Sequence, residues 1–230
     1  MSIKENVLKI EERIQKACDK VGRKREEVIL LAASKTQPVE KIIEAYESGI
    51  RYFGENKVQE GIEKIEKLKE YADIHWHLIG GLQTNKVKYA VKYYELIHSV
   101  DRQALVDEIE KRGEKLNKVI DGLIEVNFGE ESKFGVKKDN LKELFEYILT
   151  KKYIKIHGLM AIPPYFENPE DVRPYFIKLR TLRDNLEKEY NVKLSHLSMG
   201  MSHDFEVAIE EGATIVRIGT AIFGERNYAK

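Results

Sequence analysis

The sequence predicts one α/β domain spanning residues 1–230, a single (β/α)8 TIM-type barrel with an extra N-terminal helix. Three observations carry this. Eight short apolar runs, starting near residues 28, 51, 73, 95, 121, 154, 193 and 214, alternate with segments of helical periodicity. Several runs, Val28–Ala33 most clearly, are apolar on both faces, as a parallel sheet covered by helices requires. Eight such units fill 230 residues with no Pro/Ser-rich linker between them, which is the size of one such barrel. A doubly wound open sheet is the alternative arrangement of the same elements.

The elements follow in order. Ile3, Val7, Ile10, Ile14, Ala17 and Val21 recur at three- and four-residue steps and predict the first helix. Ser2 with Glu5 reads as a capping box, and Gly22 as the stop. Cys18 beside this stripe reads as a small buried residue rather than a reactive thiol. Helices are then expected from Pro38 to Glu47, through Ile62, Ile65 and Leu68, and over 87–94, 104–116, 141–149, 171–190 and 205–209. After the eighth strand too little chain remains for a full covering helix. The surplus N-terminal helix is expected to fill that gap.

Composition excludes whole classes. Lys and Arg number 39, as do Asp and Glu, so no basic excess favours nucleic acid. No apolar run is long enough to span a membrane, and the start lacks a signal-peptide stretch. A lone cysteine makes neither an internal disulfide nor a thiolate metal site. The expectation is a cytoplasmic globular protein, a monomer or weak dimer.

Chemistry in such a barrel sits at the C-terminal strand ends. Those ends carry Ser34-Lys35-Thr36, Gly54-Glu55-Asn56, Gly80 to Lys86, Ser99 to Arg102, then Asn127, Glu131, Lys133 and Gly135. The last three carry Met160 to Pro163, Ser198 to Asp204, and Arg217 to Thr220. Lys35 follows six uncharged residues and Ser34. Desolvation there favours the free amine, the form that attacks a carbonyl to make a Schiff base. Gly219 and Thr220 offer backbone N–H groups at the eighth strand end, a recurrent phosphate position, with Ser198 and Ser202 as further donors. His75 and His77 share a strand face but lack a carboxylate cluster, so they read as core histidines and no metal is expected. Ser202-His203-Asp204 are consecutive, and a triad is defined by spatial geometry instead. Gly81 to Lys86 is no P-loop, and no dinucleotide fingerprint occurs.

Taken together, these segments resemble one family. They are Ala33-Ser-Lys-Thr36, Phe53-Gly-Glu-Asn56 with Gln59-Glu60, Trp76 to Gly80 with Leu82 to Lys86, Gly158 to Ile162, Leu197 to Ser202 with Asp204, and Val216 to Gly224. In this order, from about residue 28 to 228, they resemble the pyridoxal phosphate homeostasis proteins (the PROSC or YggS group). The resemblance implies a barrel that binds pyridoxal 5'-phosphate (PLP), similar to the barrel domain of alanine racemase. It implies that Lys35 forms the Schiff base, that Gly219 and Thr220 hold the phosphate with Ser198 and Ser202 helping, and that Arg217 approaches the pyridine nitrogen. Asn56 and His77 line the ring pocket in that reading, and Met199 belongs to the same binding segment. Gly81 departs from the larger residue expected after Gly80 and is expected to loosen that loop.

Arginine has only N–H donors, so facing Arg217 the pyridine nitrogen stays unprotonated and the ring is a poorer electron sink. Racemisation of the alanine racemase type needs a second base, which in that family comes from a separate C-terminal domain. None is expected in this chain. The sequence thus favours a carrier that buffers and delivers PLP to PLP-dependent apoenzymes, with no catalytic residues. A PLP-dependent amino-acid racemase is the alternative.

Overall fold

The computed structural model describes residues 1–129 and 134–225. Glu131 and Lys133, both named above as strand-end candidates, lie outside the described residues, as do residues 226–230.

Chain order runs α1 (Ile3–Lys20), β1 (Ile29–Ala33), α2 (Val39–Glu47), β2 (Tyr52–Glu55), α3 (Val58–Lys67), β3 (His75–Leu78) and α4 (Val87–Tyr93). It continues with β4 (Leu96–Val100), α5 (Gln103–Leu116), β5 (Ile120–Asn127), β6 (Val136–Lys137), α6 (Leu141–Leu149) and β7 (Ile154–Met160). The last elements are α7 (Arg173–Tyr190), β8 (His196–Ser198), α8 (Phe205–Glu210), β9 (Ile215–Ile218) and α9 (Thr220–Phe223). The strands lie side by side as β4-β3-β2-β1-β9-β8-β7-β5, and a β4–β5 pairing closes the ring. Every pairing is parallel. This is the expected closed barrel rather than an open sheet. Two-residue β6, absent from the sequence expectation, adds to the end of β5.

Period-two alternation sorts the strand residues. Leu31, Ile79, Leu96, Leu123, Met160 and Ile215 form a separate buried cluster inside the barrel. Their neighbours Leu30, Ala32, Ile97, Ile124, Leu159 and Val216 join the large cluster between strands and helices. Burial of each such side chain is worth about 1.5–3 kcal/mol. Alternation also turns Arg217, two residues beyond Ile215, toward the barrel interior.

The N-terminal helix covers the last elements of the barrel. It packs against α8, α9 and α2, and Asn6 Nδ2 donates to the Ile222 carbonyl at 2.9 Å. Its capping box is present: Glu5 N–H donates to Ser2 Oγ at 3.1 Å, and Ser2 N–H to Glu5 Oε2 at 2.9 Å. Cys18 is fully buried on its core face, and burial pushes its thiol pKa up, as an inert core residue requires. Among the described residues no helix is long and apolar enough to cross a membrane, and no group of His, Cys, Asp or Glu is placed to hold a metal ion.

Candidate functional site

A cavity of about 390 Å³ opens at the C-terminal ends of the strands. It collects Lys35 from the end of β1, Asn56 from β2, Ile79 from β3, Ile162 to Tyr165 after β7, Gly200 to Asp204 after β8, and Arg217, Gly219 and Thr220 from β9. The two sequence-distant anchors meet because β1 and β9 are neighbours, with Leu31 opposite Arg217 and Ala32 opposite Ile218.

Of the residues singled out from the sequence, Lys35, Asn56, Ser202, Arg217, Gly219 and Thr220 line this cavity. Asn56 is held from behind: a Cβ on Gly80 would sit 2.2 Å from the Asn56 carbonyl oxygen, so only glycine permits that approach. Ser202 Oγ accepts the Ala221 N–H at 3.2 Å, which ties the loop after β8 to the first turn of α9. His77, Ser198 and Met199 do not reach the cavity wall; each is buried below it. At Gly81 a Cβ would lie 2.3 Å from the Phe134 ring, so the glycine makes room for that ring.

The buried polar residues form one line. Arg217 Nη1 donates to Ser198 Oγ at 2.6 Å, and its Nη2 donates to the Ala161 carbonyl at 3.0 Å. Ser198 Oγ lies 2.9 Å from His98 Nδ1, and His98 Nε2 lies 2.9 Å from His77 Nδ1. Burial is the main cause that lowers the His77 pKa to about 3 and His98 well below its ordinary value, so both rings are neutral at pH 7. The donor-only guanidinium then sets the direction of the line. Ser198 accepts from Arg217, and among the contacts of its hydroxyl His98 Nδ1 is the atom able to accept its proton. His98 therefore carries its proton on Nε2 and donates to His77 Nδ1. The result is an arginine fixed at two of its nitrogens, 4% exposed, at the floor of the cavity. Burial draws its pKa down to about 10 against the pull of Glu125 and Asp204, so it remains cationic at neutral pH.

Sequence reasoning missed His98, which is linked to Arg217 through Ser198. Its signal was a histidine inside the apolar run Leu96–Val100. Asp204, named in the sequence as part of the strand-end segment but given no role there, lies at the cavity edge, where its Oδ1 accepts the Met201 N–H at 2.8 Å. Glu125, buried on β5, has its pKa raised to about 7 by desolvation and by Asp101, with Arg217 opposing.

Residues 6–227 match the family model of the alanine racemase N-terminal domain. A pyridoxal phosphate homeostasis protein of Aquifex aeolicus is 62% identical over 99% of this chain and all of its own length. The chain belongs to the pyridoxal phosphate homeostasis protein family. A member from Escherichia coli strain K12 is 36% identical over 99% of this chain and 98% of its own. The PipY protein of Synechococcus elongatus PCC7942, solved with PLP bound, superimposes with TM-score 0.83 at 34% identity, over 92% of this chain and all of that one. Alanine racemase of Corynebacterium glutamicum shares the fold at 14% identity and TM-score 0.71, over 99% of this chain and 61% of that one.

Proposed function

We propose that this chain binds pyridoxal 5'-phosphate in the cavity through a Schiff base on Lys35. In this reading it serves intracellular, cytoplasmic PLP homeostasis by buffering the cofactor and delivering it to apoenzymes, with little or no catalysis. One observation carries the reading: a primary amine, a fixed guanidinium and the start of a short helix converge on a single cavity from β1 and β9. The donor set fits the cofactor. Lys35 supplies the nucleophile, Arg217 a donor for a pyridine nitrogen, and Ser202, Gly219 and Thr220 the polar lining for a phosphate. The relatives named for PLP homeostasis, and the PLP-bound PipY structure, support it. When bound, PLP supplies an aldehyde that condenses with an amine, releasing water and forming a C=N bond. Arg217, itself tied to Ser198 and Ala161, cannot give up a proton to the ring at neutral pH, and this withholds electron-sink power.

The test is reduction of the PLP-loaded protein with borohydride, followed by peptide mapping. The label is expected on Lys35; a label on another lysine would remove Lys35 from its role. The racemase reading draws on the match to the racemase domain. It requires a second proton-transfer group across the cavity from Lys35. Tyr165 and His203, whose rings lie 5.0 Å apart at the rim, are candidates. A panel of single-enantiomer amino acids is expected to show no appreciable racemisation. Robust turnover that disappears with Lys35→Ala would instead establish the racemase.

A further inference from the structure

The peptide groups on both sides of Lys35 are gripped by side chains that never touch the cavity. Thr36 has φ 64°, in the left-handed region. The other described non-glycine residues with positive φ are Asn117 and Asn191, which cap helix C-termini, where asparagine tolerates this conformation. Thr36 is β-branched and caps no helix, so its backbone is strained and must be held by its surroundings. Two bonds hold it: Gln37 N–H donates to the Ser34 carbonyl at 3.0 Å across the turn, and Glu60 on α3 accepts the Thr36 N–H on Oε1 at 2.7 Å. On the other side of Lys35, Lys64 Nζ donates to the Ser34 carbonyl at 2.8 Å. The same ammonium pairs with Glu55 Oε1 at 2.7 Å and Glu60 Oε1 at 3.2 Å. Ser34 Oγ also donates to Glu55 Oε1, at 2.8 Å. Glu55 is fully buried and Lys64 is 8% exposed, so the group sits in a low-dielectric setting where such bonds are rigid. Glu55 Oε2 is buried with no hydrogen-bond partner, a cost kept alongside the clamp rather than removed by an apolar side chain. Glu55, Glu60 and Lys64 do not line the cavity.

We propose that Glu55, Glu60 and Lys64 are positioning residues that set where the Lys35 amine stands in the cavity, by fixing the Ser34 carbonyl and holding Thr36 in its left-handed conformation. This rests on Lys35 being the PLP-linked residue. The chemistry follows from geometry. An amine on a long flexible stem reacts in proportion to how often it occupies the attack position, and a backbone pinned on both sides of its Cα narrows that search. Glu60 acts on the strained peptide. Lys64 acts on the preceding one and pairs with both carboxylates that face it.

The clamp predicts a specific rescue. Glu60→Ala frees the Thr36 N–H, and the strained turn relaxes away from φ 64°. Thr36→Gly removes the strain, because glycine adopts that conformation without an anchor. PLP affinity, read by absorbance titration, is expected to fall tenfold or more in Glu60→Ala and to recover most of that loss in Glu60→Ala/Thr36→Gly. In a Lys35→Ala background the residual, non-covalent affinity is expected to change less than twofold on adding Glu60→Ala, because the clamp acts only through Lys35. Circular dichroism and melting of the PLP-free proteins identify any variant that fails to fold. Glu60→Gln, which keeps an oxygen acceptor for the Thr36 N–H but loses the charge that pairs with Lys64, then replaces it and is expected to bind PLP more weakly than the parent, by less than tenfold. Unchanged affinity in the folded Glu60 variants overturns the clamp. So does a loss that Thr36→Gly leaves in place, or an equal loss in the Lys35→Ala background. Peptide mapping of the borohydride-reduced parent separates the two levels: a label away from Lys35 defeats the function proposed above, whereas a label on Lys35 with no effect of Glu60 defeats the clamp alone.

Discussion

Lys35→Ala is expected to fold and to carry no borohydride-reducible adduct, with PLP retention reduced by about a hundredfold, or roughly 3 kcal/mol. The reasons lie in the position. Lys35 is half-buried at the mouth of the barrel and follows a strand whose core contacts come from Leu30, Leu31 and Ala32. Truncating it therefore removes no part of the apolar cluster. What remains for PLP is Arg217 at the floor and the polar groups of Ser202, Gly219 and Thr220. In the proposed function these would orient a phosphorylated pyridine without a covalent bond. Absorbance and equilibrium dialysis against the parent measure the difference. Retention equal to the parent, with a reducible adduct still present, would show that another amine carries the cofactor.

Acid destabilisation centred on His77 and His98 is the second large effect. Both are buried, and both have pKa values below the ordinary histidine value, to about 3 for His77. The folded chain therefore keeps them neutral while the unfolded chain protonates them from about pH 6.5 downward. Below that pH the unfolded state binds more protons, so stability rises with pH and is lost as pH falls from about 6.5 toward 3. Each histidine contributes up to about 1.4 kcal/mol per pH unit across that window, so His77 alone is worth on the order of 4 kcal/mol at the acid end. Glu125 acts with the opposite sign. Its raised pKa, about 7, lets the folded state hold a proton that the unfolded state releases near its ordinary value of 4.5, so its contribution declines as pH rises between those values. His77→Gln isolates the histidine effect, since its carbonyl can accept from His98 Nε2–H without titrating in this range. Denaturant melts of parent and variant between pH 7 and pH 4 are expected to converge as pH falls, with the parent losing more. Parallel stability curves would show that His77 is not kept neutral in the fold.

Much of this was legible in the residue order. Each strand of the barrel appears as a short apolar run and each long helix as a three-to-four-residue stripe, because both periodicities are local properties of the backbone. The cavity-lining residues were legible too: Lys35, Asn56, Ser202, Arg217, Gly219 and Thr220 stand at strand ends, where a barrel places its chemistry. Direction of burial below the wall was not. Ser198 and His77 carry polar atoms beside wall residues in sequence, yet they join Arg217 and His98 in a line beneath the cavity. Nothing local distinguishes a hydroxyl facing a ligand from one facing an arginine on the next strand, 19 residues away. Gly81 is a similar case, since its purpose is the Phe134 ring, 53 residues on.

The sequence by itself determined the barrel and its N-terminal cover helix, and put the candidate anchors Lys35 and Arg217 at strand ends, because strand periodicity and strand-end position are written within a few residues of each other. Only the tertiary structure decided which polar side chains support those anchors. The Arg217–Ser198–His98–His77 line and the Glu55–Glu60–Lys64 grip on the Lys35 turn arise where strands and helices distant along the chain close on one another. Their partners are chosen by the need to satisfy every buried donor and acceptor, and that need exists only once burial has occurred.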